Sequence, residues 1–368
     1  MKVTHFIIYL ISLVACSQKD ETIEPIANDY DYEVLTDQAD VPWGFDFLPD
    51  KSMLITNRDG KLFHHKSKTT KQIKGVPEVY ADNQGGLLDI KVHPDYPEQP
   101  WIYISYSSIA GEKDGAHTAL ARAQLDGNQL TNLEVLYKAT PNTTKGIHFG
   151  SRIEFDNDGF LYLTIGERGQ RDVNPQDITR DGGKVYRFYD DGRIPKSNPF
   201  YDEPNAKKAI YSYGHRNPQG IERNPETGKI WVHEHGPRGG DEINIIKKGA
   251  NYGWPVITYG INYSGTEITD ETARPGMEQP FYYWVPSIAP SGMTFVRSDK
   301  YPHLNGNLLV GSLKFAYLEH LIINNNQVQK REKILMNQGR LRSVKQGPDG
   351  YLYAGIEGIG VVKILPKT

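Results

Sequence analysis

The segment KGIHFGSRIEF, Lys145 to Phe155, sets His148 in a glycine-flanked loop just before an apolar, strand-like run. Histidine titrates near neutral pH, so at such a junction it can take a proton as a general base, or simply hydrogen-bond into its own loop. In YSYGHRNPQG, Tyr211 to Gly220, Pro218 stiffens a turn that presents Arg216 and Asn217. A guanidinium there suits carboxylates, phosphates and developing oxyanions. Lys314 interrupts the apolar run GSLKFAYL, and Arg340 and Arg342 alternate in GRLRSV, so a strand turns both to one face. Singly, each reads as a solvated edge charge. Together, four cations in a chain of formal net charge −3 predict an anionic guest with several carboxylates. In DNQGGLLD, Asp82 to Asp89, Gln84 precedes Gly85-Gly86, which permits either a close backbone approach or a tight turn.

A second chemistry lies in EHGPRGGDEINIIKKGANYGWP, Glu234 to Pro255. Glycine- and proline-rich backbone exposes carbonyls, and Asp241 and Glu242 add carboxylates. Such hard oxygen donors suit Ca²⁺, although the spacing is not that of an EF-hand. His233 and His235 share a strand face, but no third zinc ligand accompanies them. A nucleophile elbow, a phosphate-binding loop and a dinucleotide fingerprint are all missing from the sequence.

These residues need a frame, and the sequence repeats one. Near Asp50, Asp95, Asp158, Glu226, Asp299 and Asp349 the same unit recurs: an alternating apolar strand, a turn of Pro, Asp, Asn or Gly, and a second strand rich in Val, Ile, Leu and Tyr. Period-two alternation predicts half-buried strands, and the turns are hairpin chemistry. Six repeats at blade-sized intervals predict an all-β, six-bladed β-propeller of four-stranded antiparallel blades, with function on the loops between the repeats. A sandwich or barrel with similar hairpins is the alternative.

With 38% hydrophobic and 24% charged residues the composition is globular, and no basic excess predicts a nucleic-acid partner. Residues 1–15 predict a signal peptide: Lys2 precedes a short apolar stretch, and Leu13-Val14-Ala15-Cys16 resembles a lipobox. Residues 16–30 then form a lipidated flexible tether and 31–368 the propeller. The chain is expected to be exported as a lipoprotein of the cell envelope, touching membrane only through its N-terminal lipid. The single cysteine excludes an internal disulfide.

Taken in order, QGGLLD, SYGHRNPQG, EHGPRGGDEIN, NYGWP and GPDGYLY make the chain resemble the soluble, pyrroloquinoline quinone (PQQ)-dependent aldose sugar dehydrogenases. These are six-bladed propellers related to soluble quinoprotein glucose dehydrogenase. The resemblance spans about Val41 to Leu365 and implies a set of roles. His148 falls on the catalytic base. Gln84, Arg216 and Asn217 fall on cofactor contacts, with Arg216 and Asn217 at the reactive quinone carbonyl. Lys314, Arg340 and Arg342 fall on the cations that hold the cofactor's carboxylates. Gly236 and Pro237 match carbonyl ligands of the Ca²⁺ on PQQ, and Glu242 and Tyr252 match a second, structural Ca²⁺ site. The implied reaction is oxidation of an aldose at C1 to its aldonolactone, with reoxidation by an unknown electron acceptor. In GERGQRD the resemblance lapses: Arg168 and Gln170 stand where the glucose enzyme has another sequence over the sugar pocket. A Ca²⁺-dependent propeller lactonase and a non-catalytic propeller module are the rival readings, and neither needs the four cations.

Overall fold

The computed structural model describes residues 24–25 and 29–367, so the signal peptide, Cys16 and most of the tether lie outside the described residues. Among those described there is no α-helix, and the strands form six antiparallel four-stranded sheets. Each hairpin foreseen in the sequence is the inner strand pair of one blade. Blade 1 is Pro42–Phe47, Met53–Asn57, Leu62–Lys66 and Thr69–Ile73, and blade 2 is Leu87–Val92, Ile102–Ser108, His117–Asp126 and Gln129–Lys138. Blade 3 is Ile153–Phe155, Leu161–Ile165, Lys184–Phe188 and Ile210–Tyr213. Blade 4 is Pro218–Arg223, Ile230–Glu234, Asp241–Ile245 and Tyr282–Trp284. Blade 5 is Pro290–Phe295, Leu308–Ser312, Tyr317–Asn324 and Gln327–Ile334, with Glu24–Pro25 pairing in parallel on its outer edge. Blade 6 takes Leu341–Gln346, Leu352–Ile356 and Gly360–Pro366 from the end of the chain and its outermost strand, Tyr30–Thr36, from the start.

The strands are more buried than alternation suggests. Met53–Asn57, Leu161–Ile165 and Leu352–Ile356 are buried at every position. The reason is that blades stack face to face, so a middle strand has a neighbouring blade on both sides. Each seam has its own apolar cluster: Leu54 with Ile104, Tyr103 with Leu163, Val185 with Val232, Trp231 with Val310, Leu309 with Ala354, and Ile55 with Val361. Alternation survives in the sequence because hydroxyl groups share these strands and bond across the seams. Thr56, for example, donates to the Gly44 carbonyl at 3.0 Å and also to the Leu88 carbonyl.

At the axis one side chain joins five blades. Arg152, just before the inner strand of blade 3, donates to the Trp43 carbonyl (3.2 Å) of blade 1, Asp89 (3.3 Å) of blade 2, the Gln219 carbonyl (2.7 Å) of blade 4 and the Arg342 carbonyl (2.8 Å) of blade 6. Its guanidinium also lies over the Trp43 ring, 4.0 Å from the centroid. Asp89 accepts the Ile153 N–H at 2.9 Å as well. Removing one partner of a buried ion pair strands the other charge, at about 3–5 kcal/mol. Arg152→Met is therefore expected to lower the melting temperature strongly, and adding Asp89→Asn should recover part of the loss. Thermal unfolding followed by circular dichroism measures both; a single variant that melts with the wild type would remove Arg152 from this role.

Candidate active site

In a four-stranded meander, the turns after the first and third strands lie at one end and the remaining connections lie at the other. The Asp-Gly and Asn-Pro hairpins occupy the first end. The candidate residues collect at the second. Gln84, His148, Arg216, Asn217 and Arg340 come from connections between blades, and Gly236, Pro237 and Lys314 from connections between second and third strands.

His148 has φ 58°, in the left-handed region that disfavours residues with a Cβ. Its N–H donates to Gln84 Oε1 at 2.8 Å, and its ring Nδ1 lies 2.5 Å from Glu167 Oε1. A carboxylate only accepts, so Nδ1 carries the proton and Nε2 keeps the lone pair. Burial, and then the Arg216 charge, hold the histidine pKa below its ordinary value, while Glu167 pulls the other way. The ring is thus neutral at neutral pH and able to accept a proton. Glu167 reaches it because residue 166 is glycine: a Cβ there would stand 2.3 Å from the His148 carbonyl and 2.8 Å from Asn217 Oδ1.

Arg216 is fixed at both ends. Its N–H donates to Glu234 Oε2 at 2.5 Å, and its guanidinium Nη1 donates to the His235 and Gly236 carbonyls at 2.9 and 3.0 Å. Asn217 is buried behind it, where Oδ1 accepts from the Gly150 N–H (3.1 Å) and from Gln219 (3.3 Å). It therefore ties the His148 connection to blade 4. The 236–240 turn is held by Asp241, whose carboxylate accepts from the N–H groups of Gly236, Ile288 and Ala289 and from the Ser287 hydroxyl. Burial pushes its pKa up to about 6 against the pull of those donors, so it is ionised at neutral pH. His233 and His235 point to the carbonyls of Gly292 and Pro290, fastening blade 4 to blade 5.

Glu234 and Glu242 share the Asn244 side-chain N–H₂ group, at 3.0 and 3.2 Å. Burial and the Glu234 charge push Glu242 up to about 8. Both carboxylates line a cavity of about 10 Å³ that also touches Gly236, Tyr252 and Thr258. That is room for roughly one water or one ion. The Tyr252 ring stacks on His215 at 4.6 Å and its hydroxyl donates to the Ile245 carbonyl at 2.7 Å, so the side chain is part of the packing.

Two of the three remaining cations bind Glu357. Arg342 reaches Oε1 at 2.5 Å and Arg340 reaches Oε2 at 2.9 Å. Arg340 also donates to the Leu313 carbonyl at 3.1 Å, next to Lys314, which is exposed in a turn after its strand. Burial holds the His235 pKa well below its ordinary value against the pull of the Pro290 carbonyl, and the charges of His233, Arg216 and Arg342 lower it further. Glu357 offsets part of the positive charge that the sequence alone suggests.

A cavity of about 370 Å³ opens to solvent, lined by Glu167, Arg171, Arg216, Pro237, Trp254 and Tyr263 among others; His148, Lys314, Arg340 and Arg342 are not part of its lining. Glu167 Oε2 is buried without a partner among the described residues. Of the two residues read over the sugar pocket, Gln170 lines this cavity but Arg168 is completely buried below the His148 connection. The close approach expected at Gly85-Gly86 is to the protein itself: a Cβ on Gly86 would lie 1.8 Å from the Arg58 carbonyl. Glu167, Glu234 and Glu357 were missed as site residues, although each sits beside a residue or motif that was singled out.

Comparison with known proteins now places this arrangement. The glucose / sorbosone dehydrogenase family model matches residues 39–361. Aldose sugar dehydrogenase YliI of Escherichia coli strain K12 is 44% identical over 328 residues, covering 87% of this chain and 88% of that protein. The crystal structure of the soluble aldose sugar dehydrogenase from Escherichia coli, in its apo-form, superposes with a TM-score of 0.86 at 40% identity, covering 92% of this chain and all of that one. The PQQ-bound aldose sugar dehydrogenase of Streptomyces coelicolor gives 0.72 at 26% identity over 94% of this chain and all of that one. A family model that spans residues 39–361 and a 44%-identical aldose sugar dehydrogenase, on a propeller matched almost end to end, make this chain an oxidoreductase of the glucose/sorbosone dehydrogenase family.

Proposed function

We propose that this chain is a PQQ- and calcium-dependent dehydrogenase that oxidises aldose sugars at C1 to aldonolactones. The observation that carries the reading is the His148–Glu167 pair, with Glu167 and Arg216 both lining the large cavity. His148 Nε2 takes the proton of the anomeric hydroxyl, and Glu167 stabilises the imidazolium that results. The C1–H bond breaks with both of its electrons leaving as hydride. Arg216 supplies fixed positive charge where negative charge develops during that transfer. Bound PQQ would supply the hydride acceptor, and Ca²⁺ the Lewis acid that polarises it.

The residues present fit both groups. Arg340, Arg342 and Lys314 form a cationic rim suited to a guest with several carboxylates, and Glu357 holds the two arginines ready. Gln84, Arg216 and Asn217 complete the cofactor contacts that the resemblance implies. The carbonyls of Gly236 and Pro237 are hard donors for the Ca²⁺ beside the cofactor. Glu242 and the Tyr252 backbone would hold a second Ca²⁺. The raised pKa of Glu242 supports this, because two carboxylates lining one small cavity favour a proton or a cation between them. The physiological acceptor is a separate redox partner. Export and lipid attachment at Cys16 rest on the sequence motif.

Reconstitution tests the core of the proposal. The purified chain should reduce a redox dye with aldoses only when both PQQ and Ca²⁺ are added. His148→Ala should abolish this turnover while retaining PQQ, as read by absorption of the gel-filtered protein. Failure of the wild type to retain PQQ would overturn the reading and favour the lactonase or binding-module alternative.

The pH dependence carries a sign. His148 accepts a proton only while neutral, so the rate should fall as pH drops through a pKa below the ordinary histidine value. Glu167→Gln removes the group that raises this pKa. The acid limb should then move to still lower pH, and kcat should fall about ten- to a hundredfold, part of the roughly 10²–10⁴ that a positioned base contributes. An acid limb that stays in place would exclude His148 as the titrating base. Separately, Cys16→Ser should move the protein from the membrane to the soluble fraction after cell lysis, and unchanged membrane association would refute lipid anchoring there.

A further inference from the structure

Arg168 is a buried cation without an ion pair among the described residues. It is 0% exposed and its φ is 59°, as unusual as that of His148. Burying a guanidinium without a carboxylate is costly unless its donors are well met. Here the two terminal nitrogens are met mainly by the connection that carries His148, while Nε–H is buried without a partner among the described residues. Nη1 donates to the Ile147 carbonyl, and Nη2 donates to the Lys145 carbonyl at 2.7 Å and to Ala116 at 3.1 Å. The guanidinium lies over the Phe149 ring, 3.4 Å from its centroid. Arg168 thus grips residues on both sides of His148 and leaves His148 itself free. Ala116 in turn pairs with Thr143, so the same guanidinium links the start of the connection to the third strand of blade 2.

The preceding residue, Glu167, holds the imidazole. Two adjacent side chains therefore fix one histidine: Glu167 sets the tautomer and direction of the ring, and Arg168 sets the backbone from which it projects. A lysine could not do the same. Its compact ammonium is a single point that cannot place donors on two separate nitrogens, nor can it lie flat on a ring as a guanidinium does.

We infer that Arg168 is a positioning residue for the His148 base, holding the 145–149 backbone so that His148 keeps its left-handed conformation and its imidazole stays against Glu167. This rests on the reading of His148 as the base, but the backbone claim has its own readout. Amide hydrogen exchange over 145–149 and sugar-oxidation kinetics should be compared for wild type, Arg168→Lys and Arg168→Met, each loaded with PQQ and Ca²⁺. In Arg168→Met, exchange over 145–149 should rise at least tenfold while the inner strands stay protected. Its kcat should fall at least tenfold, with KM for the sugar and PQQ retention changed less than threefold. Arg168→Lys should fall between the two. Unchanged exchange over 145–149 overturns the inference whether or not the chain oxidises sugars. Raised exchange with unchanged kcat in an active enzyme also overturns it, leaving Arg168 as packing only. An inactive wild type whose Arg168 variants still loosen 145–149 would sink the dehydrogenase reading and keep the backbone role.

Discussion

The arrangement depends on a charged pair buried where an apolar plug might be expected. Arg152 and Asp89 meet at the axis of the ring, and the guanidinium also takes carbonyls from three further blades. The six inner strands converge there with backbone groups facing the channel, and those groups need partners away from bulk water. One planar fork with five donors answers several of them at once, which no aliphatic side chain can do. The carbonyl that Arg152 takes from blade 6 belongs to Arg342, and the one it takes from blade 4 belongs to Gln219, whose side chain bonds Asn217. The floor of the catalytic face is therefore the ceiling of this axial knot, and its residues inherit their spacing from it.

Above the floor, carboxylates organise the chemistry. Glu167 holds His148, Glu234 holds Arg216 and His215, and Glu357 holds Arg340 and Arg342. Each joins segments from different connections. The cations and the histidine are oriented before any guest arrives, so binding does not have to order them. The same carboxylates moderate the local field: a rim of bare cations would repel itself and would attract any anion.

The sequence made the ring legible because each blade begins with the same hairpin, and hairpins are local. It did not show that the middle strands would be buried on both faces, since Leu161–Ile165 looks the same whether one face or two are covered. Most candidate residues were visible as chemistry out of place, such as Lys314 in an apolar run. Glu167 and Glu357 were not, because an acid next to a glycine loop is ordinary until its partner is known, and those partners lie 19 and 15 residues away, on another connection and on an inner strand. Arg168 was visible but misplaced. Its neighbourhood suggested a pocket wall, whereas its donors are turned inward to carbonyls that no side-chain pattern reveals.

Blade 6 is shared by the two ends of the chain, with Tyr30–Thr36 lying against Gly360–Pro366. The ring therefore has a seam of hydrogen bonds but no covalent one. Such a seam joins residues about as far apart as the chain allows, and contacts of that range form late in folding. The last strand to be made completes a sheet whose outer edge was made first. Once the seam shuts, opening the ring means unzipping a whole strand against two packed neighbours. Durability of that kind is kinetic: it is set by the barrier to opening the ring.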